Sequence, residues 1–392
     1  MTHTSRVTQS LPPSQAEYAA QLLDFQQAGV KRAAEIGNRG PIRWAADGQL
    51  HADILAAYWQ HGYYIFENVI DADEIAALRL DAADMIARAP VTPDAKVDAK
   101  GRPARGLDFG KPAYRLAKPL ADPWGGTQLL NGRHPTKMLQ PTPDKDAPEY
   151  VVFLMYGMCQ SMPAGLRLYG HPHLLKIAEA INGPDFTPYN DAIFVKQPGL
   201  GGSVSWHQDG VTHWEAPNWD EGIHGFNFQV QLYQTTPANG LWVLPGSHKQ
   251  GRIDIKTMVA ENPDGERLPG SIPLVCGPGD VTIVNRQMLH GSFANYSQDM
   301  RVSITFGFHR RTSVLGAKAG LSMTGNVAVY DEAHIFDRSA VVQVAIDARQ
   351  KHMPSEQAYR YQPFAGLEDQ YRFTAATEAS VIKDYFMKDL AI

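Results

Sequence analysis

Apolar positions follow two different periods along this chain. Before about residue 90 they recur at helical spacing. Ser14 to Ile36 reads as a helix, with Ala19, Leu22, Leu23 and Phe25 among its apolar positions and Ser14 as N-cap. His51 to His61 predicts a second helix and Tyr63–Phe66 a short strand. Asp71 opens a third helix reaching about Ala89, with Glu74 in the capping-box position. Val151 to Met162 and His173 to Ile181 also read as helical. From Tyr189 the period becomes two. Phe226, Phe228, Val230 and Leu232 alternate with Asn227, Gln229, Gln231 and Tyr233. Val302, Ile304, Phe306 and Phe308 alternate with Arg301, Ser303, Thr305 and Gly307. In such strands one face belongs on an apolar layer and the other on a polar interior. Further strands are predicted at Ala192–Lys196, around His207, and at Gly240–Leu244, Ile272–Val275, Asp280–Val284 and Gln287–Ser292. Short alternating strands with Gly/Pro turns argue a closed or nearly closed β structure.

Two regions lack this patterning. Residues 91–148 are rich in Pro, Gly and charge, as in a lid or binding loop. Tyr114, Arg115, Trp124 and Arg133 are its residues best able to touch a ligand. Residues 311–392 form a C-terminal extension with helical pieces around Ala333–Phe336 and Glu378–Lys388, and no readable function. The expected organisation is one domain over 1–392: helical support (1–90), an irregular insertion (91–148), a β core (189–310) and the extension.

Composition narrows the function classes. Of 392 residues, 44% are hydrophobic and 20% charged, which supplies a large core. A net charge of −5, without a sizeable Lys/Arg cluster, argues against nucleic acid as a partner. Two cysteines, Cys159 and Cys276, make no disulfide framework, and no run reaches membrane-span length. A cytoplasmic protein is expected, with oligomeric state open.

The chemistry concentrates in Ser203-Val204-Ser205-Trp206-His207-Gln208-Asp209-Gly210. At an extended strand end His207 and Asp209 point to one side, so an imidazole and a carboxylate converge. With a distal histidine, His290, they would complete a 2-His-1-carboxylate metal site with open positions. Arg301 falls on the polar face of its strand. A guanidinium enclosed there is costly unless it binds an anion, and with Ser303 nearby it suits a carboxylate. A structural Asp or Glu partner is the plainer alternative. The pair His171-Pro172-His173 reads as a helix cap. Pro198–Gly202 lacks both the third glycine of a dinucleotide fingerprint and the Lys-Ser/Thr of a P-loop.

His-x-Asp, a distal His and a following Arg resemble the Fe(II)/2-oxoglutarate-dependent oxygenases. The phrases around them resemble the phytanoyl-CoA dioxygenase (PhyH-like) family within that superfamily. They are Trp206-His207-Gln208-Asp209-Gly210, Asn239-Gly240-Leu241-Trp242-Val243-Leu244-Pro245-Gly246-Ser247-His248, Gly279-Asp280-Val281 and Tyr361-Gln362-Pro363-Phe364. The likeness covers roughly residues 50–85 and 150–365. It implies a mainly β fold with flanking helices, the double-stranded β-helix or jelly-roll core. It implies Fe(II) held by His207, Asp209 and His290, and 2-oxoglutarate bound through Arg301 with Ser303 or Ser292. It also implies O2 as co-reactant and succinate and carbon dioxide as products, with a small or medium organic molecule as substrate. Halogenating relatives lack the carboxylate, so Asp209 favours hydroxylation or a related oxidation. Two departures stand out. Many relatives have Trp where this chain has Gln229, which would hydrogen-bond cosubstrate or substrate, or serve equally as a structural partner of Tyr233 or Asn227. The family's cosubstrate lysine has no match, Lys196 being misplaced for it. Tyr114, Arg115, His213 and Trp214 are the expected substrate contacts. Two other classes remain: a cupin-type metal-dependent isomerase and a non-catalytic ligand-binding barrel.

Overall fold

The alternating segments pair as two sheets. The structure is a computed structural model that describes residues 11–209, 225–320 and 327–388. In chain order the strands of the two main sheets are β1 (Arg39–Gly40), β2 (Tyr63–Phe66), β3 (Tyr114–Ala117), β4 (Val151–Met155), β5 (Phe186–Lys196) and β6 (Val204–His207). They continue as β7 (Phe226–Gln231), β8 (Leu241–Val243), β9 (Ile272–Leu274), β10 (Val281–Asn285), β11 (His290–Ser292) and β12 (Arg301–Arg310). The larger sheet runs β1-β2-β10-β7-β12-β5-β4-β3 and the smaller β6-β11-β8-β9. Pairing is antiparallel except between β1 and β2. This is the expected mainly β jelly-roll with flanking helices.

The alternation in β7 and β12 sorts as predicted. Phe226, Phe228, Val230, Val302, Ile304, Phe306 and Phe308 are fully buried in one core. Burying each such side chain contributes about 1.5–3 kcal/mol. The same core includes residues of the helices Ala72–Ala87, Pro163–Tyr169, Pro172–Asn182 and Glu332–His352. The opposite faces of these strands, with Asn227, Gln229, Arg301 and Thr305, are left for the space between the sheets. The smaller sheet is backed by the helix Gln15–Ile36, where Tyr18 and Leu22 pack with Trp206, Trp242 and Phe293. Phe25 stacks on Trp242 at 4.6 Å. Gly29 permits this closeness, because a Cβ there would sit 2.7 Å from the Trp242 ring.

Three local expectations are corrected. Val151 to Met162 is not one helix: Val151–Met155 is strand β4, and only Met158–Ser161 is helical. A Val-Val-Phe-Leu-Met run buried throughout between β3 and β5 has no helical face to expose. The capping box at Asp71 is half made. Asp71 accepts the Glu74 N–H, but the Glu74 carboxylate pairs at 2.6 Å with the buried Arg349. Thirdly, the helical piece at Ala333–Phe336 belongs to the long helix Glu332–His352 within the main core. Cys159 and Cys276 are buried and form no disulfide among the described residues. Among the described residues no helix is long and apolar enough to cross a membrane.

Candidate functional site

Register places the two histidines together. In the β6/β11 ladder His290 is the direct partner of His207, and their rings lie 4.1 Å apart. His207 Nδ1 is 2.8 Å from the Ser205 carbonyl, and His290 Nδ1 is 2.8 Å from the Met288 carbonyl. A carbonyl only accepts, so each Nδ1 carries the proton and each Nε2 keeps its lone pair. Asp209 follows β6 and is tied to the large sheet by its N–H, which donates to Arg286 O at 2.8 Å. Its carboxylate lies 3.6 Å from His207 Nε2 and 4.0 Å from His290 Nε2. One donor atom from each of the three residues falls within 4.8 Å of the others, close enough to hold one metal ion.

The electrostatics suit a cation. Burial alone would raise the Asp209 pKa, but Arg133, His290, Arg286 and His207 outweigh it and hold the carboxyl well below the usual range. Burial lowers both His207 and His290, which keeps them neutral and able to ligate. Arg133 reaches Asp209 Oδ1 at 3.1 Å, and Asn227 Nδ2 donates to Oδ2 at 2.8 Å. Asn227 in turn accepts the Tyr189 hydroxyl. The Asp209 carboxylate is thus held in place by an outer layer of hydrogen bonds.

A cavity of about 380 Å³ opens between the sheets and is lined by all three of these residues. Arg301 lines it too. Its guanidinium is buried and gives NH1 to Asn239 O at 3.0 Å and a long 3.4 Å contact to Gln229 Oε1. No carboxylate pairs with it among the described residues, so the structural-partner alternative finds no support. Burial brings its pKa down to about 10. Arg301 Nε, Ser303 Oγ and Thr305 Oγ1, from one strand face, are buried without hydrogen-bond partners. Unsatisfied donors beside an unpaired cation fit an anionic guest.

Residues 144–303 match the family model for phytanoyl-CoA dioxygenase (PhyH). This segment therefore resembles the PhyH family. The chain is 32% identical over 117 residues to phytanoyl-CoA dioxygenase 1 of Oryza sativa subsp. japonica, covering 28% of this chain and 40% of the rice protein. It is 22% identical over 275 residues to ectoine dioxygenase of Sphingopyxis alaskensis, covering 64% of this chain and 73% of that one. Among solved structures, EctD from S. alaskensis with 2-oxoglutarate and 5-hydroxyectoine overlays with a TM-score of 0.47. It is 21% identical and covers 71% of this chain and 82% of that chain.

The other expected residues divide. Gln229 and Ser292 line the cavity. Ser303 is buried next to Arg301's strand position but does not line it. Tyr114 is not brought there: its hydroxyl donates to Met85 O at 2.8 Å, on the helix Ala72–Ala87. Arg115 reaches the cavity only indirectly, over the ring of Trp124, which lines it. His213 and Trp214 lie outside the described residues. Lys196 is buried against Phe293 O, away from the cavity lining. His171 and His173 stay apart from the site, at the start of the helix Pro172–Asn182. Sequence reasoning missed His134, buried with its ring 4.1 Å from His207. It also missed Tyr189, Asn227 and Arg286. A histidine in an irregular segment carries no pattern. Asn227, by contrast, shares the inward face of β7 with Gln229 and was legible there.

Proposed function

We propose that the protein is an Fe(II)/2-oxoglutarate-dependent dioxygenase that oxidises, in the simplest case hydroxylates, a small or medium organic molecule. Its overall reaction would consume O2 and 2-oxoglutarate and release succinate and carbon dioxide. One observation carries this reading: a buried, unpaired Arg301 lines the same cavity as His207, Asp209 and His290. A metal-dependent isomerase needs the triad but has no use for that cation.

His207, Asp209 and His290 would hold Fe(II), which when bound supplies the oxygen-activating chemistry. Arg301 would take the distal carboxylate of 2-oxoglutarate by charge-assisted hydrogen bonds, with Thr305 and Ser303 hydroxyls beside it. Asn227 would orient Asp209, and the Ser205 and Met288 carbonyls would fix the two imidazoles. Apolar walls from Leu154, Phe194 and Leu241 would keep bulk water out. The PhyH match over residues 144–303 supports the class of enzyme.

The deciding experiment is anaerobic. Fe(II) and 2-oxoglutarate together should produce a visible charge-transfer band that neither gives alone. Absence of that band with correctly folded protein would sink the proposal.

A further inference from the structure

We propose that the substrate of this site carries an acid group, and that Arg133 recognises it by exchanging its present partner, Asp209, for the substrate. The inference rests on the dioxygenase reading and adds the substrate class to it.

The cavity is strongly one-signed. Among the described residues it is lined by three arginines, Arg133, Arg286 and Arg301, against a single carboxylate, Asp209. A bound metal ion adds positive charge. In the proposed reaction Arg301 is occupied by the cosubstrate. Arg286 is held between His309, 2.9 Å from its NH1, and the face of Tyr189 at 4.3 Å. Arg133 is placed differently. Among the described residues it has one ion pair, to Asp209 at 3.1 Å, and its Nε is buried without a partner; a fifth of its side chain is exposed. A carboxylate that gives electron density to a metal has less to offer a guanidinium. Metal binding therefore loosens the Arg133 pairing, while Asn227 continues to hold Asp209 Oδ2 at 2.8 Å. The freed fork suits a planar acid group.

The backbone is shaped for this placement. Leu130, Asn131 and Gly132 are successively left-handed, with φ of 53°, 58° and 67°. Only the glycine adopts that conformation without strain, and strain of this kind is retained where a side chain must be aimed. On the other side His134 anchors the segment, its ring 5.1 Å from Trp124 as well as 4.1 Å from His207. Arg133 is thus pinned between a strained turn and a buried ring.

Asn131 and Arg133 also line a second cavity, of about 370 Å³. Its other charged residues are Arg252, Lys256 and Asp254. Asp254 accepts both the N–H and the hydroxyl of Thr257, so its charge is engaged in capping. Arg252 and Lys256 are exposed. This antechamber is net basic and shares a wall with the metal-site cavity, an arrangement that draws in acids and repels cations.

The test uses the full-length protein with Fe(II) and 2-oxoglutarate under argon, where the charge-transfer band reports that the cosubstrate complex has formed. Small carboxylic acids and their primary amides are titrated in pairs, with phosphate monoesters as a separate arm. Binding is read from the shift of the band and from melting temperature. Acids should bind about tenfold or more tighter than their amides. Arg133→Gln should erase that preference, read from melting temperature, and Arg133→Lys should restore only part of it. Phosphate esters binding better than carboxylic acids, with the same Arg133 dependence, would support the acid group and name its kind. Amides binding as well as acids, no acid binding at all, or an acid preference that survives Arg133→Gln would overturn the proposal. A wild-type protein that forms no band would instead overturn the dioxygenase reading beneath it.

Discussion

His207 and His290 are direct partners in an antiparallel ladder, and each ring is locked by the carbonyl two residues before it. The same strand geometry therefore sets both the distance between the imidazoles and the tautomer of each. Neither ring belongs to the apolar cores, so the pair can be changed without removing what holds the sheets together.

His207→Ala should abolish metal retention and turnover while leaving a cooperative melt and an unchanged far-UV spectrum. Metal content after gel filtration and circular dichroism check the two halves. Retention of stoichiometric metal by this variant, or metal held by His171 and His173, would refute the ligand assignment.

Asn227→Ala should weaken metal binding by about tenfold to a hundredfold, the usual effect of removing a group that orients a ligand. Asn227 couples Asp209 to the Tyr189 hydroxyl, so the carboxylate loses its fixed orientation without losing its charge. Competition against a chelator measures the affinity. An unchanged value would show that Asn227 does not orient Asp209 toward the metal.

Arg301 separates ligand binding from stability. A charge-assisted pair contributes about 1.5–3 kcal/mol, so Arg301→Ala should raise the 2-oxoglutarate requirement by about tenfold to a hundredfold. Arg301→Lys should fall short of recovery, because an ammonium cannot reproduce the fork. Without 2-oxoglutarate, Arg301→Leu should melt at the same temperature as the parent or higher, since a buried cation without a counter-charge opposes folding. A strongly destabilised Arg301→Leu would make the residue structural.

The strand alternation and the site motifs were legible for the same physical reason. Period two divides β7 and β12 into a core face and an inward face, and the inward face is where Gln229 and Arg301 stand. Segments governed by tertiary contacts were not legible. The helix Glu332–His352 buries Arg338, Ser339, Gln343 and Arg349 together with its apolar residues, so no clean stripe marks it. β4 is apolar throughout, which periodicity alone does not separate from a buried helix. His134 sits in an irregular stretch whose conformation depends on what it packs against; Arg133 and Trp124, from the same stretch, were legible as candidate ligand contacts and do line the cavity.

The helix Glu332–His352 should matter to folding through one such contact. Arg349 pairs with Glu74 and Glu356, each at 2.6 Å, and only 3% of its side chain is exposed. Removing one partner from a buried ionic cluster costs about 3–5 kcal/mol. Arg349→Ala should therefore lower denaturant stability by that order, and Arg349→Met by less. Chemical denaturation of the metal-free protein measures both.

His171 predicts a pH dependence away from the metal site. Burial, reinforced by Arg349 and His173, holds its pKa well below the ordinary value of 6.5. In the unfolded chain the imidazole takes up a proton near pH 6.5, whereas the folded one resists until much lower pH. Between those two points the unfolded state binds more protons. The stability contributed by His171 is thus complete above about pH 6.5 and declines as pH falls toward its depressed folded value. His171→Gln should lower the stability at pH 7.5 through imperfect packing but flatten the decline between about pH 6.5 and 5. Melting curves of metal-free parent and variant across that range decide it. Parallel curves would show that His171 does not titrate differently in the two states.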